Sequence, residues 1–409
     1  MNNKIIALVD WSWLGHHPNY FVSYAVALTQ AGYRVLPLCS DPNDFTTRLT
    51  QALSYSATIT AVDLIEEPIQ LNNPRQSGIW PRRYRGVHNA WRRFGGLGKR
   101  LREWERSQGE QIHLVFFACI YEHQFDFFIK VEKSFGFPWS GLYLHPRSFR
   151  ISDSPMLKGK EIPCSEKILS SDLLQSIAVL DEGVVEPMSE IAKGKPVISL
   201  PDFTDEYLPE SAMSESGLAN KIKAFADGRP VVCLMGYLYW TKGFCEFTEA
   251  AQQPSMYDVV FFIGGELNWA EIDNDKIREV KQAWANSSNI LTHFTDLTDA
   301  QINAVISASD VVYAAYRDFP SSSNMLTKAA VFKKPVLVSD GYVMAERVRK
   351  YETGEVVSEG NVDDIVKGIN LMLADGYSDG LKSRAQWEEY HALHSAKRLP
   401  ECFEKLLSQ

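Results

Sequence analysis

The sequence has no long apolar run, and none approaches the roughly 18–20 residues of a membrane-spanning helix. Its first apolar stretch, residues 5–9, follows the N-terminus at once and is too short for a signal peptide. Short-period repeats and low-complexity tracts are also absent. These absences predict a soluble globular protein, and the 409 residues suffice for two or three domains with cores of their own.

Cysteine is sparse, and its spacing indicates no covalent framework. The six cysteines show no C-x-x-C pair, and several lie inside apolar runs. This pattern is typical of reduced, buried thiols in a cytosolic protein, and it argues against disulfides or a zinc site. We therefore expect a cytoplasmic protein.

Positive charge is scarce except in one segment. The net charge of −9 argues against nucleic acid as a partner. Residues 75–106, however, carry nine Arg and one Lys against two Glu, so this segment is +8 and the remainder −17. Aromatic residues are interleaved with these charges. The segment is interpreted as a solvated loop, as a partner of the acidic remainder, or as a contact with anionic lipid headgroups at the inner face of the membrane or with an anionic acceptor.

What the chain does have is a repeated alternation of short apolar runs with helical patterns. Such alternation is typical of parallel strands joined by right-handed crossovers. We predict an α/β fold of two doubly wound, Rossmann-like domains that face a central cleft. The predicted parts are an N-terminal domain (1–200, with the basic-aromatic segment as an insertion), a linker (201–228), a C-terminal domain (229–385) and a helix crossing back to the first domain (386–409).

In open parallel sheets, ligands bind beyond the carboxyl ends of the strands. Three strand-end loops of the second half carry suitable residues. The first contains Gly236 and then Lys242, whose charge at a helix start suits a phosphate, although an ordinary surface lysine explains it too. The second contains Gly264 and Gly265, which permit close approach of a ligand or simply a tight turn.

The third strand-end loop is a polar turn before a helical pattern. It supplies hydroxyl groups and backbone donors at Ser321, Ser322, Ser323 and Asn324. Capping of the helix explains one of these residues without any ligand. Four polar residues in succession favour a binding role for the turn.

The first half offers two candidate loops. One contains Gly15, His16 and His17, but it lacks the G-x-G-x-x-G spacing of a dinucleotide site. Because the histidines are adjacent rather than at metal-ligand spacing, we expect no metal there. The other loop contains His145 and Arg147 at the end of a predicted strand. A histidine in this place exchanges protons or donates to a substrate oxygen, or is simply a structural side chain.

Together these residues resemble the GT-B glycosyltransferases, above all the large retaining family that uses nucleotide sugars (group 1, glycosyltransferase family 4-like). The family's G-x(5)-K-G loop is matched by Gly236, Lys242 and Gly243. Its double glycine is matched by Gly264 and Gly265. The runs ASDVVYAAY (308–316) and KAAVFKKPVLVS (328–339) resemble two further family motifs, and YLHP (143–146) resembles the strand that carries a sugar-contacting histidine.

Three positions depart from the family pattern. Tyr237 stands where the family usually has Arg, and Pro320 and Lys328 stand where it has paired glutamates. The second of those glutamates normally holds the nucleotide ribose. One interpretation is that the chain belongs to a subgroup in which residues 321–324 (the serine turn) and Lys328 bind the donor differently. The other is that the protein has lost catalysis.

The resemblance implies a hexosyltransferase-type glycosyltransferase of glycan biosynthesis, acting with retention and without a metal or other cofactor. Its partners would be a nucleotide-sugar donor and a glycan, lipid or small-molecule acceptor. The catalytic residues implied are His145 and Lys242. The expected donor-binding residues are Gly15, Gly236, Tyr237, Lys242, Gly264, Gly265, Ser321, Ser322, Ser323, Asn324 and Lys328, and the expected acceptor-side residues are His16, His17 and Arg147. The alternatives are a catalytically inactive GT-B-like binding or assembly protein and, less favoured, a sugar-nucleotide epimerase.

Overall fold

The structure is a computed structural model that describes residues 4–55, 64, 68–71, 82–151, 166–206, 208 and 217–408. The chain forms two compact units. Unit 1 contains Met1–Pro201 and Ala396–Gln409, and unit 2 contains Asp202–Ser395. Within the described residues, no helix combines the length and the apolar character of a membrane span.

Unit 1 is built on a parallel sheet with the strand order β3-β2-β1-β4-β5-β6-β7. Its strands are β1 (Ile5–Asp10), β2 (Arg34–Cys39), β3 (Ile69–Gln70), β4 (Ile112–Ile120), β5 (Trp139–Tyr143), β6 (Ile177–Val179) and β7 (Val197–Ser199). Its helices are α1 (His17–Gln30), α2 (Pro42–Tyr55), α3 (Arg82–Ala90), α4 (Gly96–Gln108), α5 (Glu122–Phe125), α6 (Phe128–Phe135), α7 (Val185–Ile191) and, from the end of the chain, α17 (Leu399–Leu407). Every residue of β1 is buried, as expected for a central strand covered on both faces.

Unit 2 has its own parallel sheet, in the order β10-β9-β8-β11-β12-β13. Its strands are β8 (Val231–Met235), β9 (Val260–Gly264), β10 (Ile290–His293), β11 (Val311–Ala314), β12 (Val336–Ser339) and β13 (Gly354–Val357). Its helices are α8 (Leu218–Ala226), α9 (Phe244–Ala251), α10 (Asn274–Asn286), α11 (Asp299–Ala308), α12 (Met325–Val331), α13 (Tyr342–Tyr351), α14 (Val362–Leu373), α15 (Tyr377–Arg384) and α16 (Trp387–Leu393). Two Rossmann-like parallel sheets were predicted, and the structure confirms them.

Residues 58–63 lie outside the described residues, whereas Leu64 makes an isolated parallel bridge with Val35. Gly86 lies inside α3. A Cβ atom there would lie 2.3 Å from the Phe127 ring, so glycine allows this helix to pack against the phenylalanine. The thiols of Cys39, Cys119, Cys233 and Cys402 are buried, as predicted, whereas Cys164 lies outside the described residues.

Candidate functional site

The loop after β8 and the loop after β9 are joined through their backbones in unit 2. Leu238 N–H donates to the Glu266 carbonyl at 2.7 Å, and Gly236 N–H donates to the Gly264 carbonyl at 3.1 Å. A Cβ atom on Gly265, whose φ is 127°, would lie 1.9 Å from the Gly236 carbonyl oxygen. Gly265 is therefore required for the two loops to meet, which is a packing reason for the double glycine that holds with or without a ligand.

Lys242 ends a 3-10 turn, Trp240–Lys242, that leads through Gly243 into α9. Its ammonium lies 3.9 Å from the centroid of the Tyr316 ring and 5.3 Å from that of Phe319. The side chain is partly exposed, and within the described ranges it forms no ion pair with a carboxylate. An ammonium group held on aromatic faces in this way is positioned without being neutralised by a carboxylate among the described residues.

Buried polar atoms surround the same turn. The hydroxyl groups of Tyr316 and Thr241 and the Oε2 atom of Glu246 are buried and have no hydrogen-bond partner among the described residues. Glu246 Oε1, by contrast, accepts a 2.6 Å hydrogen bond from Arg317. Because an unpaired buried polar atom costs free energy, these three atoms favour a contact with a ligand or with water.

A small pocket lies at the carboxyl ends of β11 and β12, next to the same aromatic rings. Tyr316 and Phe319 form one part of its lining, and Asp340 and Glu359 contribute carboxylates. Sequence reasoning missed these two acidic residues, since isolated carboxylates in loops carry no motif. Asp340 already pairs with Arg349 at 2.7 Å, which together with the Gly341 N–H holds the pKa of its carboxyl below the usual range.

Tyr237, at the position where the resemblance predicts an arginine, is about half exposed. Its hydroxyl group accepts a 2.9 Å hydrogen bond from the Asn268 side-chain amide. An aromatic ring with a polar tip thus occupies the position, and it offers a stacking face rather than a positive charge.

The serine turn is largely committed to contacts inside unit 2. The Ser322 hydroxyl donates to the Asp202 carboxylate and accepts a 2.5 Å hydrogen bond from Arg347. Arg347 and Asp202 lie 3.7 Å apart, with side chains only 1% and 2% exposed. Ser323 Oγ accepts a 3.4 Å hydrogen bond from the Met325 N–H, while Asn324 precedes α12 without a side-chain cap.

Ser321 is buried in the same turn. Sequence reasoning missed the buried Asp202–Arg347 pair that supports this turn, because its members are 145 positions apart and no short motif joins them.

Lys328 points into unit 2 and is only 2% exposed. Its ammonium pairs with Asp299 at 2.9 Å and donates to the Asn303 side-chain oxygen at 3.0 Å and to the Asp205 carbonyl at 3.3 Å. These three acceptors use the three donors of the ammonium group. The structure thus gives Lys328 a complete set of internal partners where donor binding was predicted.

In unit 1, the predicted histidines meet residues from the ends of β1 and β4. His17 Nδ1 lies 2.7 Å from Asp10 Oδ2, and both side chains are buried. His17 Nε2 lies 2.9 Å from the Tyr121 hydroxyl, and His16 Nε2 lies 3.4 Å from the same oxygen. Burial raises the pKa of Asp10, although the hydrogen bond from His17 acts to lower it. Asp10 and Tyr121 are members of this cluster that sequence reasoning missed.

The other predicted residues of unit 1 lie around that cluster. The His145 ring lies 5.7 Å from the Tyr121 ring. Arg147 begins a 3-10 turn, and its N–H donates to the His145 carbonyl at 2.7 Å. Gly15 is exposed, has a φ of 60°, and would have open space around a Cβ atom, so its left-handed backbone is what favours glycine.

One group of potential metal ligands is present in the part of the chain that the structure describes. Atoms of His16, His17 and Cys119 all lie within 4.8 Å of one another. Burial, however, raises the pKa of the Cys119 thiol well above its usual value, which opposes the thiolate that a metal needs. The Tyr121 hydroxyl already lies within hydrogen-bond distance of both imidazoles. These contacts favour a hydrogen-bonded cluster over a metal centre.

The described part of the basic segment packs onto unit 1. Its apolar face is buried at Phe94, Leu97, Leu101 and Trp104. Arginines donate to backbone carbonyls nearby: Arg93 to Gln124 at 2.8 Å, Arg100 to Gln70 at 2.7 Å and Arg102 to Phe135 at 2.8 Å. Trp91, at 54% exposure, and Arg92 remain on the surface. Three of the segment's arginines therefore serve contacts within unit 1.

Comparisons with known proteins bear on this geometry. Residues 218–394 match the family "Glycosyl transferases group 1". No curated protein matches the sequence. The predicted resemblance to that family is thus confirmed in a region that includes Lys242, the double glycine and the serine turn.

Solved structures share the fold over the whole chain. Sucrose-phosphate synthase from Thermosynechococcus elongatus is 16% identical, with 100% of this chain and 99% of that chain covered at a TM-score of 0.69. Anabaena Alr3699/HepE, in complex with UDP and glucose, is 15% identical, with both chains fully covered (100%) at 0.67. WaaG, a glycosyltransferase involved in lipopolysaccharide biosynthesis, is 12% identical, with 99% and 100% covered at 0.62. At these identities the likeness shows the GT-B fold.

Proposed function

We propose that this GT-B chain, whose residues 218–394 match the group 1 glycosyl transferases, transfers a sugar from a nucleotide-sugar donor to an acceptor hydroxyl group. The observation that carries the proposal is Lys242. Its ammonium rests on two aromatic rings at a strand end, without a carboxylate partner in the described residues, and buried polar atoms surround it. An enzyme that must bind a diphosphate needs such a retained positive charge.

The proposed chemistry follows from where charge develops. As the bond between the sugar and the diphosphate breaks, negative charge grows on the leaving group. Lys242 stabilises that charge more in the transition state than in the ground state, which lowers the barrier. Because a fixed cation performs this task, we propose a reaction that needs no divalent metal and no other cofactor. Retention of configuration is the outcome that the family resemblance implies.

The donor site that we propose is narrower than the predicted one. It keeps the loop from Gly236 through Tyr237 to Lys242, with Gly264 and Gly265 behind it. Tyr237 would place an aromatic face against the donor where the family's arginine is missing. Ser322 and Lys328 leave the proposed set because their polar groups are occupied by contacts within unit 2. Gly15, Ser321, Ser323 and Asn324 stay as proposed donor contacts.

In unit 1, we propose that His145 contacts the transferred sugar. His16, His17 and Arg147 would lie on the acceptor side. The acceptor proposed is a glycan or lipid, and WaaG, a structural neighbour involved in lipopolysaccharide biosynthesis, supports this choice.

The test is a panel of nucleotide sugars, beginning with UDP-glucose because one structural neighbour is in complex with it. Binding is measured as a thermal shift, and turnover as release of labelled sugar to water or to glycan and lipid acceptors. Nuclear magnetic resonance of the product gives the anomeric configuration, and assays with and without EDTA test metal dependence. If no nucleotide sugar shifts the unfolding temperature and none is consumed, the proposed function is wrong.

A non-catalytic binding or assembly protein is the second candidate. It is favoured by Pro320 and Lys328, which replace the family's glutamates, and by the ion pair with Asp299 that occupies Lys328. It predicts a thermal shift with a nucleotide or nucleotide sugar and no turnover with any acceptor.

We also propose that the surface of unit 1 around Trp91 and Arg92 contacts anionic lipid. An exposed tryptophan beside an arginine suits a membrane interface, where the ring lies among the headgroups. Sedimentation with phosphatidylglycerol vesicles should fall for the double variant Trp91→Ser/Arg92→Glu and not for Lys281→Glu, an exposed lysine of unit 2. Equal sedimentation of all three proteins would contradict the membrane contact.

A further inference from the structure

The small pocket at the carboxyl ends of β11 and β12 contains two carboxylates that the proposed donor site does not use. They belong to Asp340, directly after β12, and to Glu359, on the loop after β13. Tyr316 and Phe319 line the same pocket. Its volume of about 10 Å³ is room for a single water-sized group, such as one hydroxyl group of a larger ligand.

Polar atoms in the lining of this pocket are available to a ligand. Glu359 is exposed and forms no hydrogen bond or ion pair within the described part of the chain. Asp340 accepts hydrogen bonds from the Gly341 N–H and from Arg349, both at 2.7 Å and both on Oδ1. Tyr316 is only 2% exposed, and its hydroxyl group has no partner among the described residues. A buried hydroxyl without a partner costs free energy, which distinguishes this pocket from an ordinary group of surface acids.

These groups fit a hydroxylated ligand better than a cation. A carboxylate only accepts hydrogen bonds, whereas the hydroxyl group of a tyrosine both donates and accepts them. A sugar carries several hydroxyl groups, so it offers a donor to Glu359 and an acceptor to Tyr316. Two positive charges oppose a metal ion there, because Arg349 pairs with Asp340 and the Lys242 ammonium lies over the ring of a lining residue.

The position of Lys242 identifies which sugar reaches the pocket. Its ammonium lies 3.9 Å from the centroid of the Tyr316 ring and 5.3 Å from that of Phe319, and both residues also line the pocket. A diphosphate bound by Lys242 is therefore next to the pocket, within unit 2. In a nucleotide sugar the sugar is bonded directly to the diphosphate, so the transferred sugar is the part of the donor that meets Glu359.

We propose that Glu359 selects the donor sugar by accepting a hydrogen bond from one of its hydroxyl groups, with the Tyr316 hydroxyl as a second contact. This inference rests on the proposed glycosyltransferase function. It also gives a role to a departure from the family pattern. Pro320 leaves no carboxylate next to Phe319 in the chain, and Glu359 supplies one to the same pocket from a different loop.

The test measures affinity rather than turnover. Calorimetry gives the Kd of UDP-glucose, or of whichever nucleotide sugar the panel shows to bind, and the Kd of the matching nucleoside diphosphate, which lacks the sugar. Glu359→Ala should weaken binding of the nucleotide sugar by about 10- to 100-fold, because a hydrogen bond to a charged group is lost. The Kd of the diphosphate should stay unchanged. The matched control is Glu389→Ala, which removes an exposed carboxylate of unit 2 outside the pocket lining.

Tyr316→Phe tests the second contact, since it keeps the ring beneath Lys242 and removes only the hydroxyl group. It should weaken binding of the nucleotide sugar by about 3- to 10-fold and leave the Kd of the diphosphate unchanged. An unchanged Kd for both ligands would contradict this contact.

Deoxy analogues of the donor identify the hydroxyl group that Glu359 contacts. The analogue that lacks this group should bind wild type about 10-fold more weakly than the parent nucleotide sugar, and it should bind Glu359→Ala as tightly as the parent does.

Three outcomes overturn the selection of the sugar by Glu359. One is a Kd of the nucleotide sugar for Glu359→Ala within about twofold of the wild-type value. Another is an equal loss of affinity for the nucleotide sugar and the diphosphate. The third is a wild-type affinity that falls on addition of EDTA, which would place a divalent cation between the carboxylates and the donor. The two ideas fail separately: a wild type that binds no nucleotide sugar refutes the proposed function, whereas binding that Glu359→Ala does not weaken refutes the sugar contact alone.

Discussion

The polar clusters at the strand ends of the two units occupy corresponding places in two similar sheets, yet they treat their polar groups differently. In unit 1, Asp10, His17 and Tyr121 are hydrogen-bonded to one another. In unit 2, Lys242 lies on the faces of two aromatic rings and has no carboxylate partner among the described residues. The difference shows that the polar side chains of one cluster bond to one another, whereas the cation of the other cluster packs on aromatic rings.

Unit 2 shows the same contrast within itself. Ser322 and Lys328 were predicted donor contacts, but each is held by partners within unit 2. A polar residue at a strand end thus either holds the loop in place through internal contacts or belongs to the ligand site. Substitutions distinguish these two roles. Substitution of a residue with internal contacts should lower the free energy of unfolding. Substitution of a residue in the ligand site should lower activity with the nucleotide-sugar donor.

The largest effect is expected where a buried ion pair is broken. Arg347→Ala removes the buried cation that lies 3.7 Å from the buried Asp202 carboxylate, and the free energy of unfolding should fall by about 3–5 kcal/mol. The matched control on the same helix is Arg349→Ala, since Arg349 pairs with Asp340 at the surface and contributes less than about 1 kcal/mol. Urea titrations followed by circular dichroism measure both. Equal, small losses of unfolding free energy in the two variants would mean that the Asp202–Arg347 pair does not stabilise the serine turn.

Lys242→Ala should affect donor use without affecting folding. We expect kcat/KM for the nucleotide sugar to fall by about 100- to 1000-fold, because the leaving diphosphate loses a fixed positive charge. Lys281→Ala is the control, since its ammonium also lies over an aromatic ring, 5.2 Å from the Trp269 centroid. Steady-state kinetics with labelled donor measure kcat/KM for both variants. Unchanged kinetics for Lys242→Ala would remove this residue from the site.

Lys328→Met should lower stability without changing the affinity for the donor. The variant removes the hydrogen bond from the buried ammonium to the Asn303 side-chain oxygen, so the free energy of unfolding should fall by about 1–3 kcal/mol. The donor Kd, measured by calorimetry, should stay the same because the ammonium points into unit 2. A weakened Kd together with unchanged stability would restore the predicted role of Lys328 in donor binding.

The smallest expected effect is a pH dependence in unit 1. The pKa of Asp10 is raised in the folded protein above 3.8, its ordinary value, with burial as the largest cause. The folded state therefore holds this proton more tightly than the unfolded state does, so stability decreases as pH rises from about 3.8 through the folded pKa. Relative to Asp10→Asn, wild type should lose up to about 1.4 kcal/mol per pH unit in that window. A difference that does not vary with pH would show that the carboxyl does not titrate abnormally.

Short-range sequence patterns made part of the candidate site predictable. Gly236, Lys242 and Gly243 keep the spacing of a strand, loop and helix start, and the 218–394 family match includes them. His16 and His17 stood out as paired imidazoles at a strand end. Their partners Asp10 and Tyr121 did not, since Tyr121 is more than 100 positions away and only the adjacency of β1 and β4 brings it near.

The sequence by itself determined the two parallel sheets, because a repeated alternation of apolar strands and helical patterns can bury its apolar surface in few other ways. It also determined which loops lie at the strand ends. Only the tertiary structure decided which polar groups in those loops are paired, as the contacts of Ser322, Lys328 and His17 show. The physical reason is that hydrogen bonds and ion pairs depend on distances of about 3 Å between residues far apart in the chain, whereas apolar periodicity is a local property.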